Sequence, residues 1–203
     1  MIVIDFHFYE PHAGHGLPHD PLNAIVAPRP IGWVSTVAAD GTRNLAPYSF
    51  FNLFNYRPPI IGFASVGWKD SVTNIEATGE FVWNLATRPL AEAMNASSTM
   101  RKVDEFSETG LETLPSKLVA PPRVAASPVQ FECHRTQMLR LTAADGGETD
   151  TWLVLGEVVG VHIDPAMLKD GVYQTARARP ILRAGGPSEY FEPGAAFHMT
   201  RPE

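Results

Sequence analysis

The chain of 203 residues has one cysteine, Cys133, so no disulfide forms within it and the fold does not rest on such crosslinks. Charge is sparse at 19% of residues, below the roughly 25% of an average globular chain. Apolar residues reach 44%, which excludes a disordered chain. Positive charge is also in deficit, with 16 lysines and arginines against 22 acids and a formal net charge of −6. Wholesale binding to a nucleic-acid backbone needs the opposite balance. No apolar run approaches the roughly 20 residues needed to cross a bilayer. The N-terminus places Asp5, His7 and Glu10 where a secretory signal has a basic and then an apolar region, so a soluble cytoplasmic protein is expected.

Several familiar signatures are missing. No G-x-G-x-x-G fingerprint opens a βαβ unit, no G-x-x-x-x-G-K-[ST] loop is present, and no G-x-S-x-G elbow offers a nucleophile. Cys133 and His134 are neighbours within one strand candidate, where successive side chains face opposite ways. They are badly placed to form a nucleophile–base pair, and Cys133 reads as structural. His7, His12, His15 and His19 crowd the N-terminal arm, but with Gly14, Gly16 and Pro18 among them nothing holds three as metal ligands. The expected arrangement is a loop whose histidines meet backbone carbonyls.

Prolines (18) and glycines (16) are plentiful and suit many short elements joined by turns. Without repeats or low-complexity tracts, residues 1–203 form one expected domain, with 1–27 as an irregular arm carrying apolar pieces at 2–8 and 22–26. Strands are expected at 31–38 and 44–51, linked by the Asp40-Gly41 turn, and at 60–66 and 81–86. Two longer ones are expected at 129–141 and 152–163, joined through residues 144–147. A short strand at 181–183 precedes the Gly185-Gly186 turn. Between the third and fourth strands, residues 70–79 read as a helix capped by Asp70 or Ser71 and ended by Gly79. Further helical pieces are expected at 89–96 and 102–108. The fold class is mainly β: a closed or partly closed antiparallel barrel, Greek-key-like, with short helical insertions.

Polar chemistry concentrates between Arg29 and Asn74. Ser35 and Thr36 sit in mid-strand, Asn44, Ser49 and Asn52 follow, and Lys69, Ser71 and Asn74 surround a helix start. Hydroxyls and amides buried in strands need partners, from the protein or from a ligand. A helix N-terminus preceded by lysine offers free N–H groups and positive charge, the elements of a phosphate seat. Trp33, Tyr48, Phe50, Phe51, Phe54 and Trp68 interleave with these groups, as core residues or as the lining for a flat heteroaromatic ring.

The run 28–36 (PRPIGWVST), the Asp40-Gly41 turn and 44–51 (NLAPYSFF) resemble the signature of the flavin reductase-like proteins with an FMN-binding split barrel. Lys69-Asp70-Ser71 with 74–82, and the late 180–183 with Gly185, Gly186 and Tyr190, resemble the family's later blocks. The resemblance implies a homodimer binding FMN non-covalently near the subunit interface. It implies that Ser35, Thr36, Tyr48, Ser49, Phe50, Phe51, Asn52, Lys69 and Ser71 hold the flavin, with Lys69 and Ser71 at the phosphate and 49–52 at the polar ring edge. Trp33 flanks either the ring or the dimer contact; Asn74 is a flavin contact or a plain helix residue; Arg183 is an ion-pairing or a phosphate group. The segment 87–128 is less diagnostic and shapes access. The implied reaction passes hydride from NADH or NADPH to FMN, and electrons onward to free flavin, a small molecule or a protein, with no catalytic side chain. Two alternatives stay open: a flavin-binding or electron-carrier module without turnover, and a related barrel adapted to haem, with His134 as ligand, or to a deazaflavin. Neither nucleic acid nor membrane is an expected partner.

Overall fold

The computed structural model describes residues 5–202. The expected apolar piece at 2–8 therefore begins outside the described residues, as does the start of the arm. In chain order the strands are β1 (Arg29–Pro30), β2 (Gly32–Val37), β3 (Arg43–Tyr48), β4 (Phe51–Tyr56), β5 (Pro59–Val66), β6 (Glu80–Asn84), β7 (Thr113–Leu114), β8 (Arg123–Val124), β9 (Val129–Thr142), β10 (Glu148–Ile163), β11 (Leu168–Lys169), β12 (Val172–Tyr173), β13 (Leu182–Arg183) and β14 (Tyr190–Phe191). The α-helices are α1 (Leu22–Ile25), α2 (Asp70–Thr78), α3 (Ala91–Ala96) and α4 (Glu105–Thr109). No helix among the described residues is long and apolar enough to cross a membrane.

The main sheet runs β3-β2-β6-β9-β10-β5-β4, every neighbouring pair antiparallel. Its two edge strands, β3 and β4, are separated in sequence by Ser49 and Phe50 alone. A flat sheet of this order would put five strands between them, so the sheet must curl until its edges approach. Phe51 of β4 accordingly reaches across to Gly32 of β2, where an added Cβ would lie 2.9 Å from Cδ2 of Phe51. The Phe51 ring also stacks on Trp83 of β6, centroids 5.4 Å apart. The interior is filled by Val34, Tyr48, Ile61, Phe63, Phe81 and Val154. It is a packed core rather than a channel. A second core lies outside the barrel, where Trp33, Leu45 and Ile181 pack against Leu90, Met94 and Phe106 of the α3–α4 insertion.

Most expected elements are present with shifted ends. The helix at 70–79 is α2, closed by Gly79 at φ 74° with its N–H on the carbonyl of Ile75 at 2.9 Å. Its cap differs: the N-cap position is Lys69, and neither Asp70 nor Ser71 caps it. The expected strand 44–51 ends at Tyr48, and the chain turns into β4, a strand not anticipated. β4 pairs through one edge only and leaves Asn52 to Tyr56 exposed, so its residues show no half-buried alternation. Cys133 is fully buried in β9, burial pushes its thiol up, and neighbouring His134 is exposed. In the arm, the His7 ring meets the backbone carbonyl of His15 at 2.8 Å.

Candidate functional site

Strand alternation sorts the sequence candidates. Thr36 and Ser35 are adjacent on β2 and point to opposite faces. On one face, Thr36 Oγ1 accepts from Asn44 Nδ2 at 3.3 Å and from Asn74 Nδ2 at 3.0 Å, and Asn44 Nδ2 also donates to Ser71 Oγ at 2.8 Å. All four residues are buried. This network ties β2 and β3 to the first turns of α2 and fixes the position of Ser71.

On the other face, Ser35 Oγ donates to the Pro122 carbonyl at 2.6 Å and accepts from Asn84 Nδ2 at 3.3 Å. Trp33, two residues along, is fully buried with its Nε1–H on Ser97 Oγ at 3.0 Å. Both side chains are engaged in the second core and stand apart from the Thr36 network. Arg183 is occupied as well: its guanidinium donates to the carbonyls of Glu189 and Pro187 at 2.8 Å each and lies over the Tyr190 ring.

In front of the network, the start of α2 opens into a cleft of about 190 Å³. Asn44, Tyr48, Trp68, Lys69, Asp70 and Ser71 line one side; Thr99, Met100, Arg101, Lys102 and Glu105 form the other. Lys69 at the N-cap has extended backbone (φ −102°, ψ 171°) and provides no side-chain cap. The first intrahelical bond runs from Thr73 N–H to the Lys69 carbonyl. The N–H groups of the first turn are therefore left for solvent or for an anion, at the positive end of the helix dipole.

Tyr48 is only 7% exposed, yet its hydroxyl has no hydrogen-bond partner among the described residues. The hydroxyls of Ser71 and Ser65 lie near, and burial outweighs them in pushing the phenol up. An unpaired buried hydroxyl costs about 1–3 kcal/mol, and Tyr48 is one of the residues lining the cleft. Arg101 is paired with Glu108, whereas Lys69 and Lys102 have no carboxylate partner among the described residues.

Of the remaining sequence candidates, Ser49 is half-buried in the β3–β4 link and Phe50 is exposed with Arg29 over its ring. Phe51 points into the barrel against Trp83. Asn52 is exposed and accepts the N–H of Leu53 at 2.8 Å. The structure thus gathers Tyr48, Lys69 and Ser71 at the cleft, with Thr36 and Asn74 behind them. Five contributors escaped the sequence reading: Thr99, Met100, Arg101, Lys102 and Glu105, all in the segment carrying no recognisable motif. Glu105 presents itself in sequence as an ordinary acid in a helix first turn, a pattern that dipole compensation alone explains.

A curled antiparallel sheet with a helix start beside its edge defines a split barrel. A model of the flavin reductase like domain matches residues 26–182, and the chain belongs to that family of oxidoreductases. It is 34% identical over 189 residues to an uncharacterized protein of Halalkalibacterium halodurans, covering 89% of each chain. Its fold matches nitrilotriacetate monooxygenase component B from Bacillus cereus with a TM-score of 0.82 at 24% identity, over 98% of this chain and 100% of that one. It also matches a Shewanella frigidimarina protein described as a flavin reductase with a split barrel domain, with a TM-score of 0.78 at 22% identity over 89% and 90% of the two chains.

Proposed function

We propose that this chain is an FMN-dependent NAD(P)H:flavin reductase acting as a homodimer. The observation that carries the reading is the head of α2, where Lys69 and free N–H groups share a cleft with the unpaired Tyr48 hydroxyl. This donor set fits a phosphate monoester such as the tail of FMN. Lys69 supplies charge and Tyr48 a directed donor, while Thr36, Asn44 and Asn74 hold Ser71 in place from behind. Bound FMN supplies the hydride chemistry, so no side chain has to act as an acid or base for that step.

The cleft, at about 190 Å³, is smaller than the roughly 300–1,000 Å³ of a complete small-molecule site. It takes the phosphate tail, and the flat ring belongs outside, beside Trp68 and the 49–52 segment. A ring there needs a second wall to exclude water. β4 exposes Leu53 at 53%, Phe54 at 55% and Tyr56 at 73%, an apolar row that a second copy of the chain would cover. NADH or NADPH serves as donor, and free flavin, a small molecule or a protein as acceptor.

The test is an absorbance spectrum of the purified protein after adding FMN and then NADH or NADPH without air. The expected result is a bound flavin band that bleaches with one of the two donors. A band that binds and refuses to bleach makes the chain a carrier; no flavin binding overturns the reading. Hydrodynamic mass is expected at twice the chain mass, and a monomer that binds FMN tightly would exclude an interface-built site.

A further inference from the structure

One group in the cleft has no role in the reading above. Glu105, at the start of α4, is 4% exposed and lines the same cleft as Lys69, Ser71 and Tyr48. Its Oε2 accepts the Leu45 N–H at 3.0 Å, and it forms no ion pair among the described residues. A buried glutamate facing the seat of an anion is, at first sight, a repulsive element.

The surroundings resolve this. Asp104, the N-cap residue just before α4, acts on Glu105 through its charge and is itself paired with Arg43 of β3. From α2 it meets Asp70, with Lys69 at the head of that helix. Tyr48 of β3 and Arg101 and Lys102 of the facing loop complete the cleft, and Arg101 is already paired with Glu108. Burial first, then the carboxylates of Asp104 and Asp70, push the Glu105 carboxyl up from its ordinary range, against the pull of the Leu45 N–H. In its neutral form a carboxyl is a donor as well as an acceptor. It can keep Leu45 on one oxygen and offer O–H to a ligand from the other.

We propose that Glu105 serves the cleft as a carboxylic acid that donates to the bound phosphate monoester, so that each anion seated there brings one proton with it. The proposal rests on the reading that this cleft seats the flavin phosphate. The proton comes from solvent and stays on the Glu105 carboxyl, shared with a phosphate oxygen. The sign follows by linkage: the ligand prefers protonated Glu105, so affinity is full below the carboxyl's pKa in the free protein. Above it, affinity falls as pH rises, by up to about tenfold per pH unit. Glu105 thereby becomes a specificity residue that favours a phosphate able to accept a hydrogen bond at this position.

The experiment compares FMN and riboflavin binding by flavin fluorescence for the wild type and Glu105→Gln, from about pH 7 to about pH 9, above most of the phosphate's own second ionisation at about 6. Glutamine keeps a carbonyl for Leu45 and an N–H for the phosphate at every pH. The expected result is FMN affinity that declines with pH in the wild type and stays level in Glu105→Gln. The variant then binds FMN more tightly than wild type at the alkaline end, by up to about tenfold per pH unit above the carboxyl's pKa, while riboflavin binding is level in both. Parallel FMN profiles for the two proteins would overturn the proposal and leave the flavin reading standing. Equal binding of FMN and riboflavin by the wild type would overturn it by moving the phosphate out of the cleft. Failure of the wild type to bind either flavin would remove the flavin reading and the proposal together.

Discussion

Replacing Tyr48 by phenylalanine separates a hydroxyl kept for a ligand from one kept for the fold, because the two roles predict opposite signs. Tyr48 sits between the core and the cleft, its ring against Phe63 with centroids 4.4 Å apart and its hydroxyl without a partner among the described residues. Tyr48→Phe keeps the ring and its packing and removes only the oxygen. In the free protein that removes an unsatisfied buried polar group, for which the cost is about 1–3 kcal/mol. The variant is therefore expected to be as stable as the wild type or more so, by up to about that amount. For a chain of this size each kcal/mol raises the melting temperature by about 2–4 °C.

With FMN the sign reverses. One hydrogen bond to the phosphate is lost, worth about 0.5–1.5 kcal/mol, or more to a charged group at about 1.5–3 kcal/mol. FMN affinity is then expected to fall by about tenfold, within a factor of a few. Urea unfolding of the free protein and a fluorescence titration with FMN measure the two effects on the same sample. A variant that unfolds at lower urea and binds FMN unchanged would show that the hydroxyl is a structural donor to Ser65 or Ser71, and the reasoning would fail.

The other expectations can be stated briefly. Lys69→Asp places a capping side chain at the bare N-cap of α2 and should stabilise the free protein by about 0.5–2 kcal/mol. The same change should abolish FMN binding, as read by urea unfolding and titration. Gly156→Ala would drive a methyl group into the Phe81 ring and should cost about 1–3 kcal/mol by overpacking, visible as a lower urea midpoint. Glu132 is buried in β9, which pushes its carboxyl up, but the N–H of Lys117 at 2.8 Å, His162, and the N–H of Leu118 at 2.6 Å outweigh this and hold it below the usual glutamate range. Stability from that depressed carboxyl is present above the ordinary glutamate pKa and lost as pH falls through the folded value. Glu132→Gln should flatten the acid side of the stability profile, and an unchanged acid limb would remove Glu132 from that role.

Elements whose residues report on one local interaction were legible in the sequence. Gly79 ends α2 because its left-handed backbone favours glycine, and the Asp40-Gly41 pair sits between β2 and β3 for the same reason at Gly41, φ 88°. β4 was not legible, since it has little buried face to impose a period of two. In the site, motif position and strand geometry disagree at Ser35 and Trp33. Residues 33 and 35 share one face of β2, where Trp33 packs into the α3–α4 insertion and Ser35 bonds to Pro122 and Asn84. Thr36, one step out of phase, reaches the cleft network instead. Glu105 could not be assigned from sequence because its meaning depends on Asp70 and the cleft, which lie 35 residues away in the chain.

Two features at the cleft run against stability in the free protein, and they converge on one spot. A serine or aspartate at position 69 would cap α2, and a phenylalanine at position 48 would leave no stranded hydroxyl. The chain carries lysine and tyrosine there instead, each at a cost of about 1 kcal/mol or more. Unsatisfied groups scattered through a fold can be dismissed singly. A bare helix end, a phenol and two lysines, all without partners among the described residues, surround the same small cavity, and the proposed anion is expected to satisfy them in one event. Tyr48→Phe and Lys69→Asp remove two of these features independently. If each stabilises the free protein and weakens FMN, the cleft is a site held open for its ligand at the fold's expense.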